Sequence, residues 1–164
     1  MQCIILCAGF ATRLYPLTRH RPKQLLPVGS RCVLDHLMDR LSETRIRRTT
    51  LVCNHRFIHL FEQWREHHQS SVDVQLLDDG VAHVDQRLGA VGDLHLALET
   101  LDVQEDFLVL HGDNLFTFSL NPILASFSRR GNTLTTYNVR DIERARRAGQ
   151  VTCDINGQVI AFVE

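Results

Sequence analysis

The sequence predicts an α/β fold with a mostly parallel sheet, and three observations carry that prediction. Short apolar runs alternate with stretches of helical period. Two runs, CIILCA before Gly9 and FLVLH before Gly112-Asp113, are apolar throughout, as strands buried on both faces are. Each closes on a glycine and a polar loop, which places both loops on the carboxyl edge of one sheet, where ligands of such folds bind.

The elements follow in order. Cys3 to Ala8 reads as the first strand. Val33 to Glu43 places Leu34, Leu37, Met38 and Leu41 on one helical stripe. TTLVCN is the second strand. RFIHLFEQWREHH is helical, with Phe57, Leu60, Phe61 and Trp64 on one face. VDVQLLDD is the third strand, and Val91 to Leu101 the next amphipathic helix. DFLVLHGDN is the fourth strand. NPILASFSRRG reads as a helix capped by Asn121, with Pro122 at its first position and Gly131 as its stop. TLTTYNV is expected as a strand, DIERARRAG as a short helix, and VTCDINGQVIAFVE as a hairpin turning at Asn156-Gly157. No repeat, linker or low-complexity segment interrupts the chain, so residues 1–164 are expected to form a single domain.

Composition narrows the function. A net charge of -1 gives no general attraction to nucleic acid or anionic membrane, so a polyanion must be gripped locally. No apolar run approaches the roughly 20 residues that cross a bilayer. MQCIIL lacks the basic segment of a secretory leader. The five cysteines are scattered with no C-x-x-C pair, which argues for free thiols, no zinc ribbon and the cytoplasm.

The segment IILCAGFATRLYPLTRHRPKQLLPV holds the densest chemistry. Gly9 admits a phosphate close to the backbone, and successive N–H groups can cradle anionic oxygens. Arg13 offers a fork of donors, Lys23 a mobile point charge. Thr12 can cap or bond locally. Pro16, Pro22 and Pro27 stiffen the path. The pattern is neither G-x-x-x-x-G-K-[ST] nor G-x-G-x-x-G, so spacing alone also admits a glycine turn with a solvated basic loop.

The same segment resembles the N-terminal signature of the sugar-phosphate nucleotidylyltransferases, AG-G-x-G-T-R-L-x-P-x-T-x-x-x-P-K-x-L-L-P-V, especially enzymes joining glucose 1-phosphate to a thymidine or uridine nucleotide. Gly9, Thr12, Arg13, Leu14, Pro16, Thr18, Pro22, Lys23, Leu25, Leu26, Pro27 and Val28 match. Ala11 departs, standing where the family usually has glycine. RLGAVGDLHLAL is similar to the segment that holds base or sugar, with Gly89 at the matching glycine. FLVLHGDNLF resembles the strand presenting the metal-binding aspartate, here Asp113. AGQVTCDINGQVIAFVE resembles the sugar-contacting strands, with Ala148 in place of the usual Tyr and Thr152 in place of the frequent Glu. In the family, Glu164 is followed by a Lys-Pro whose lysine holds the sugar phosphate, and a second metal-binding aspartate lies further on.

The resemblance implies a Rossmann-like three-layer sandwich of the nucleotide-diphospho-sugar transferase type, lacking the family's C-terminal sugar-binding part. It implies transfer of a nucleoside monophosphate from dTTP or UTP to a sugar 1-phosphate, with pyrophosphate released. Arg13 and Lys23 are the expected catalytic residues. Ala8, Gly9, Phe10, Ala11, Thr12 and Gly89 are expected at the nucleotide, Gly149 and Glu164 toward the sugar, and Asp113 on Mg²⁺. The expected partners are the two substrates, with no nucleic acid or membrane, and a homo-oligomer stays open. A non-catalytic nucleotide- or sugar-phosphate-binding module and a cytidylyltransferase acting on a phospho-alcohol are the alternatives.

Other candidates carry less. Asp78, Asp79 and Gly80 read as a turn. His55 and His59 lack the glutamate of a zinc H-E-x-x-H motif and read as surface residues. His67-His68 reads as a solvated helix end, His111 is given no role, and Cys7 reads as a small core residue.

Overall fold

The computed structural model describes residues 1–146 and 148–163. The chain divides into two compact units, Met1–Asn121 and the segment from Pro122 onward. The first unit runs β1 (Gln2–Leu6), 3₁₀ turns at Thr12–Leu14 and Lys23–Leu25, β2 (Pro27–Val28), β3 (Arg31–Cys32) and α1 (Val33–Ser42). It continues through β4 (Arg48–Cys53), α2 (Ile58–His67), β5 (Asp73–Asp78), a 3₁₀ turn at Val84–Gln86, α3 (Gly89–Thr100) and β6 (Phe107–His111).

Four of these strands form one parallel sheet in the order β5-β4-β1-β6. Its register aligns Ile4 with Thr50 on one side and Val109 on the other. The apolar runs explain this order. β1 and β4 lie inside the sheet, and Cys3, Ile4, Ile5, Leu51, Val52 and Cys53 are all fully buried. Neighbouring residues of a strand point to opposite faces, so burial of both Ile4 and Ile5 means both faces of β1 are covered. Edge strand β5 instead alternates exposed and half-buried residues through its first half. On one face Ile4, Leu6, Val52 and Ala97 gather Leu94 and Leu98 of α3 and Leu101 just after it. α1 buries the predicted stripe Leu34, Leu37, Met38 and Leu41 completely, and α2 buries Phe61. Each such side chain contributes about 1.5–3 kcal/mol.

α4 (Asn121–Arg130) begins on the last residue of the first unit and runs on in the second, which continues with α5 (Ile142–Ala145) and the hairpin β7 (Gln150–Cys153) with β8 (Val159–Val163). Its turn is held as expected. Gly157 takes φ +80°, and the Asp154 carboxylate accepts from the N–H groups of Asn156 and Gln158.

Two expectations fail. Asn121 does not cap α4: it is the first helical residue, and its side chain donates to the Glu43 carbonyl at 3.2 Å. TLTTYNV forms no strand. Its β-branched residues suit a pleated surface, but no strand pairs with it among the described residues, and Leu134 and Tyr137 stay exposed. Gly131 does stop α4, at φ +79°.

Candidate functional site

The loops after β1 and β6 meet at the carboxyl edge of the sheet, as their strand endings require. The Gly112 N–H donates to the Leu6 carbonyl at 3.0 Å, which ties the two strand ends together. A cleft of about 750 Å³ opens over this edge.

Phosphate-type chemistry lines this cleft. Lys23 Nζ donates to Asp113 Oδ2 at 2.5 Å, joining residues 90 apart in sequence. Arg13 lines the same cleft from the first 3₁₀ turn and has no ion-pair partner among the described residues. Gly9 faces open space, so a Cβ there would enter the cleft without meeting an atom within 4 Å. Ala8, Gly9, Phe10, Ala11 and Thr12 all line the cleft, as does Gly89 at the start of α3, held at φ +78°. Nine of the eleven expected site residues are thereby brought together. Gly149 lies in the second unit beside the Phe162 ring, which a Cβ would approach to 3.0 Å. Glu164 lies outside the described residues.

Local forces hold the loop in place. Ala11 adopts the left-handed conformation, φ 50° and ψ 41°, at the position where the signature has glycine. Buried Thr18 donates to the Ala11 carbonyl at 2.7 Å, and Leu14 N–H to the same oxygen at 2.9 Å. Asn54, fully buried after β4, donates to the Ala8 carbonyl at 2.8 Å and accepts from Phe57 N–H. Phe10 is buried against Phe57, with ring centres 6.4 Å apart. The methyl of Ala11 therefore leaves the loop's path intact.

Gly112 leaves no room for a ligand: a Cβ there would fall 2.4 Å from Cys7 Sγ and 3.0 Å from Gln24 Cγ. The glycine lets the end of β6 pack against the loop base. Cys7 is the core residue it was read as. It is fully buried, and burial, then Asp113, pushes its thiol well above the ordinary range.

Four cleft residues were missed in the sequence. Gln24 is 1% exposed and donates to the Cys7 carbonyl, while its Oε1 is buried without a partner among the described residues. Arg87 adds a third cation. Asp79, read as a turn former, lines the cleft, and burial raises its carboxyl pKa. Asp93 of α3 also lines it, 6% exposed, with Oδ1 buried and unpartnered among the described residues. Burial, then Asp79, pushes its pKa up to about 6. A signal existed for Asp93, which sits four residues before the buried Ala97, on the apolar stripe of its helix.

His111 lines the cleft from the end of β6, whereas His55, His59, His67 and His68 do not line it. His55 Nδ1 pairs with Asp78 Oδ2 at 2.6 Å on the surface, and that hydrogen bond raises its pKa. Among the described residues, no group of three or more His, Cys, Asp or Glu is placed to hold a metal. None of the described helices is long and apolar enough to cross a membrane.

A parallel sheet with a cation-bearing loop at its carboxyl edge defines an α/β protein of the Rossmann-like class, in which ligands bind at that edge. The family model described as Nucleotidyl transferase matches residues 2–164. The chain belongs to the nucleotidyl transferase family, whose relatives here are named as sugar-phosphate nucleotidyltransferases. It is 30% identical to the mannose-1-phosphate guanylyltransferase catalytic subunit beta of Dictyostelium discoideum, over 100% of this chain and 45% of that protein. It is 24% identical to the UTP–glucose-1-phosphate uridylyltransferase AglF of Haloferax volcanii, over 100% of this chain and 65% of that protein. Among solved structures, HddC of Yersinia pseudotuberculosis complexed with GMP-PN shares the fold at TM-score 0.72 and 18% identity, over 99% of this chain and 68% of that one. The chain thus spans about half to two thirds of the length of these relatives.

Proposed function

We propose that the cleft binds a nucleoside triphosphate and transfers its nucleoside monophosphate to a sugar 1-phosphate. The observation that carries this reading is the Lys23–Asp113 ion pair in a cleft that Arg13 also lines. An oxygen of the sugar phosphate attacks the α-phosphorus in line, and the bond to the leaving pyrophosphate breaks as the new P–O bond forms. A nucleotide sugar and pyrophosphate result, with no covalent enzyme intermediate. The protein's task is positioning and charge stabilisation. Arg13 donates to oxygens that gain charge in the transition state, and Lys23 holds the triphosphate. The backbone N–H groups from Gly9 to Thr12 line the approach of the phosphates.

Asp113 fits a Mg²⁺ ligand: its carboxylate already meets a cation, Lys23, and is 38% exposed to the cleft. One carboxylate with phosphate oxygens and water is a usual Mg²⁺ set. When bound, the ion offsets phosphate charge.

The loop's resemblance supports dTTP or UTP as donor, whereas the Dictyostelium relative supports a guanine nucleotide. Mixing the chain with Mg²⁺, each triphosphate and a panel of sugar 1-phosphates tests the reading by pyrophosphate release. Binding without release would favour a non-catalytic nucleotide-binding module.

A further inference from the structure

Two carboxylates, Asp79 and Asp93, also line the cleft. Asp93 is 6% exposed, and its Oδ1 is buried with no donor in reach among the described residues. An ionised carboxylate is costly to bury unless donors meet it. Its charged neighbour is Asp79, of the same sign, whose Oδ1 is already engaged by Val81 N–H at 2.7 Å. Donors for Asp93 must therefore arrive with the ligand.

Position in the fold says which part of the ligand brings them. Asp93 lies four residues after Gly89, on the same face of α3, and helical side chains lean toward the N-terminus. Its carboxylate accordingly leans toward Gly89 and Ala90, which line the cleft. Asp79 follows β5 and Asp113 follows β6, the two outer strands of the four-stranded sheet. Three strand spacings of about 4.8 Å separate those edges by about 14 Å. That is about the span from the phosphates of a nucleotide to its base.

We propose that Asp93 sets the choice of base, its carboxylate accepting from the paired N1–H and N2–H₂ donors of guanine, so that the donor nucleotide is GTP. The inference rests on the nucleotide-binding reading of the cleft. Guanine presents two adjacent donors spaced like the two oxygens of a carboxylate. Uracil and thymine present one N–H between two carbonyls, whose oxygens a carboxylate repels. Adenine and cytosine present one amino group beside an unprotonated ring nitrogen.

Calorimetric binding of GTP, dGTP, UTP and dTTP with Mg²⁺ at pH 7.5, beside pyrophosphate release from each, tests the assignment. GTP and dGTP should bind about 10–100-fold tighter than UTP or dTTP, the discrimination expected of one bidentate pair. D93N should bring the GTP-to-UTP ratio to near one, with a cooperative thermal transition showing that the variant is folded. Equal affinity of the wild type for GTP and UTP would overturn the assignment. So would a preference that D93N leaves intact. Tight GTP with weak dGTP would assign the carboxylate to the ribose and overturn it equally. A guanine preference without pyrophosphate would keep Asp93 as the base reader and remove the transferase reading. Pyrophosphate formed equally well from UTP and GTP would do the reverse, and no binding of any nucleotide would remove both.

Discussion

Arg13 sits on a single 3₁₀ turn whose entry is the left-handed Ala11, so cation and strain belong to one device. Arg13→Ala should lower turnover by about 10²–10³-fold, the scale for one transition-state donor. Steady-state pyrophosphate release reads this directly. Lys23→Ala should weaken triphosphate binding about 10–100-fold, the worth of a charge-assisted hydrogen bond. Ala11→Gly should stabilise the chain by about 0.5–1 kcal/mol in urea melts, because glycine adopts φ 50° without a Cβ penalty. Asp93 acts in the opposite sense on stability. Its folded-state pKa of about 6 lies above the ordinary 3.8, so the folded chain holds the proton more tightly than the unfolded chain. Stability should fall as pH rises from about 4 to about 6. Asp93→Asn should flatten that dependence and raise Tm at neutral pH by about 2–4 °C, measured by calorimetry across pH.

At the scale of elements, the joint between β3 and α1 shows how one side chain serves two partners. Asp35 Oδ2 accepts from Cys32 N–H at 2.9 Å, and its Oδ1 accepts from Trp64 Nε1 at 2.8 Å. Burial pushes its pKa up, and these donors outweigh it, so the net shift is downward. Asp35→Ala should cost about 1–2 kcal/mol, the range for a lost helix cap. Fluorescence of the sole tryptophan, Trp64, reports the melt. The strands and helices of the first unit were legible because their signals are local. Continuous apolar runs marked β1 and β6, and a 3–4 spacing of leucines marked α1. The cation-bearing loop of the cleft was legible for the same reason, since Gly9, Arg13 and Lys23 lie in one short segment. Asp79 and Asp93 were not, because the sheet order that brings the ends of β5 and α3 over one cleft is set by long-range pairing. TLTTYNV failed by the same logic: strand propensity is realised only where a neighbour exists to pair.

The whole molecule is an α/β unit followed by a smaller unit that ends in a hairpin. Everything proposed for the cleft comes from the first unit, so nucleotide binding should depend on residues before Asn121. The sugar acceptor is a separate matter, since relatives such as the Dictyostelium enzyme are about twice as long. The central claim is that Arg13, Lys23 and Asp113 form a nucleotidyl-transfer site. Its most direct test is pyrophosphate release from the chain given Mg²⁺, a nucleoside triphosphate and sugar 1-phosphates, with Arg13→Ala in parallel. The account predicts stoichiometric pyrophosphate and nucleotide sugar, falling about 10²–10³-fold in the variant. Pyrophosphate release unchanged by Arg13→Ala, or none with any pairing of substrates, would contradict it.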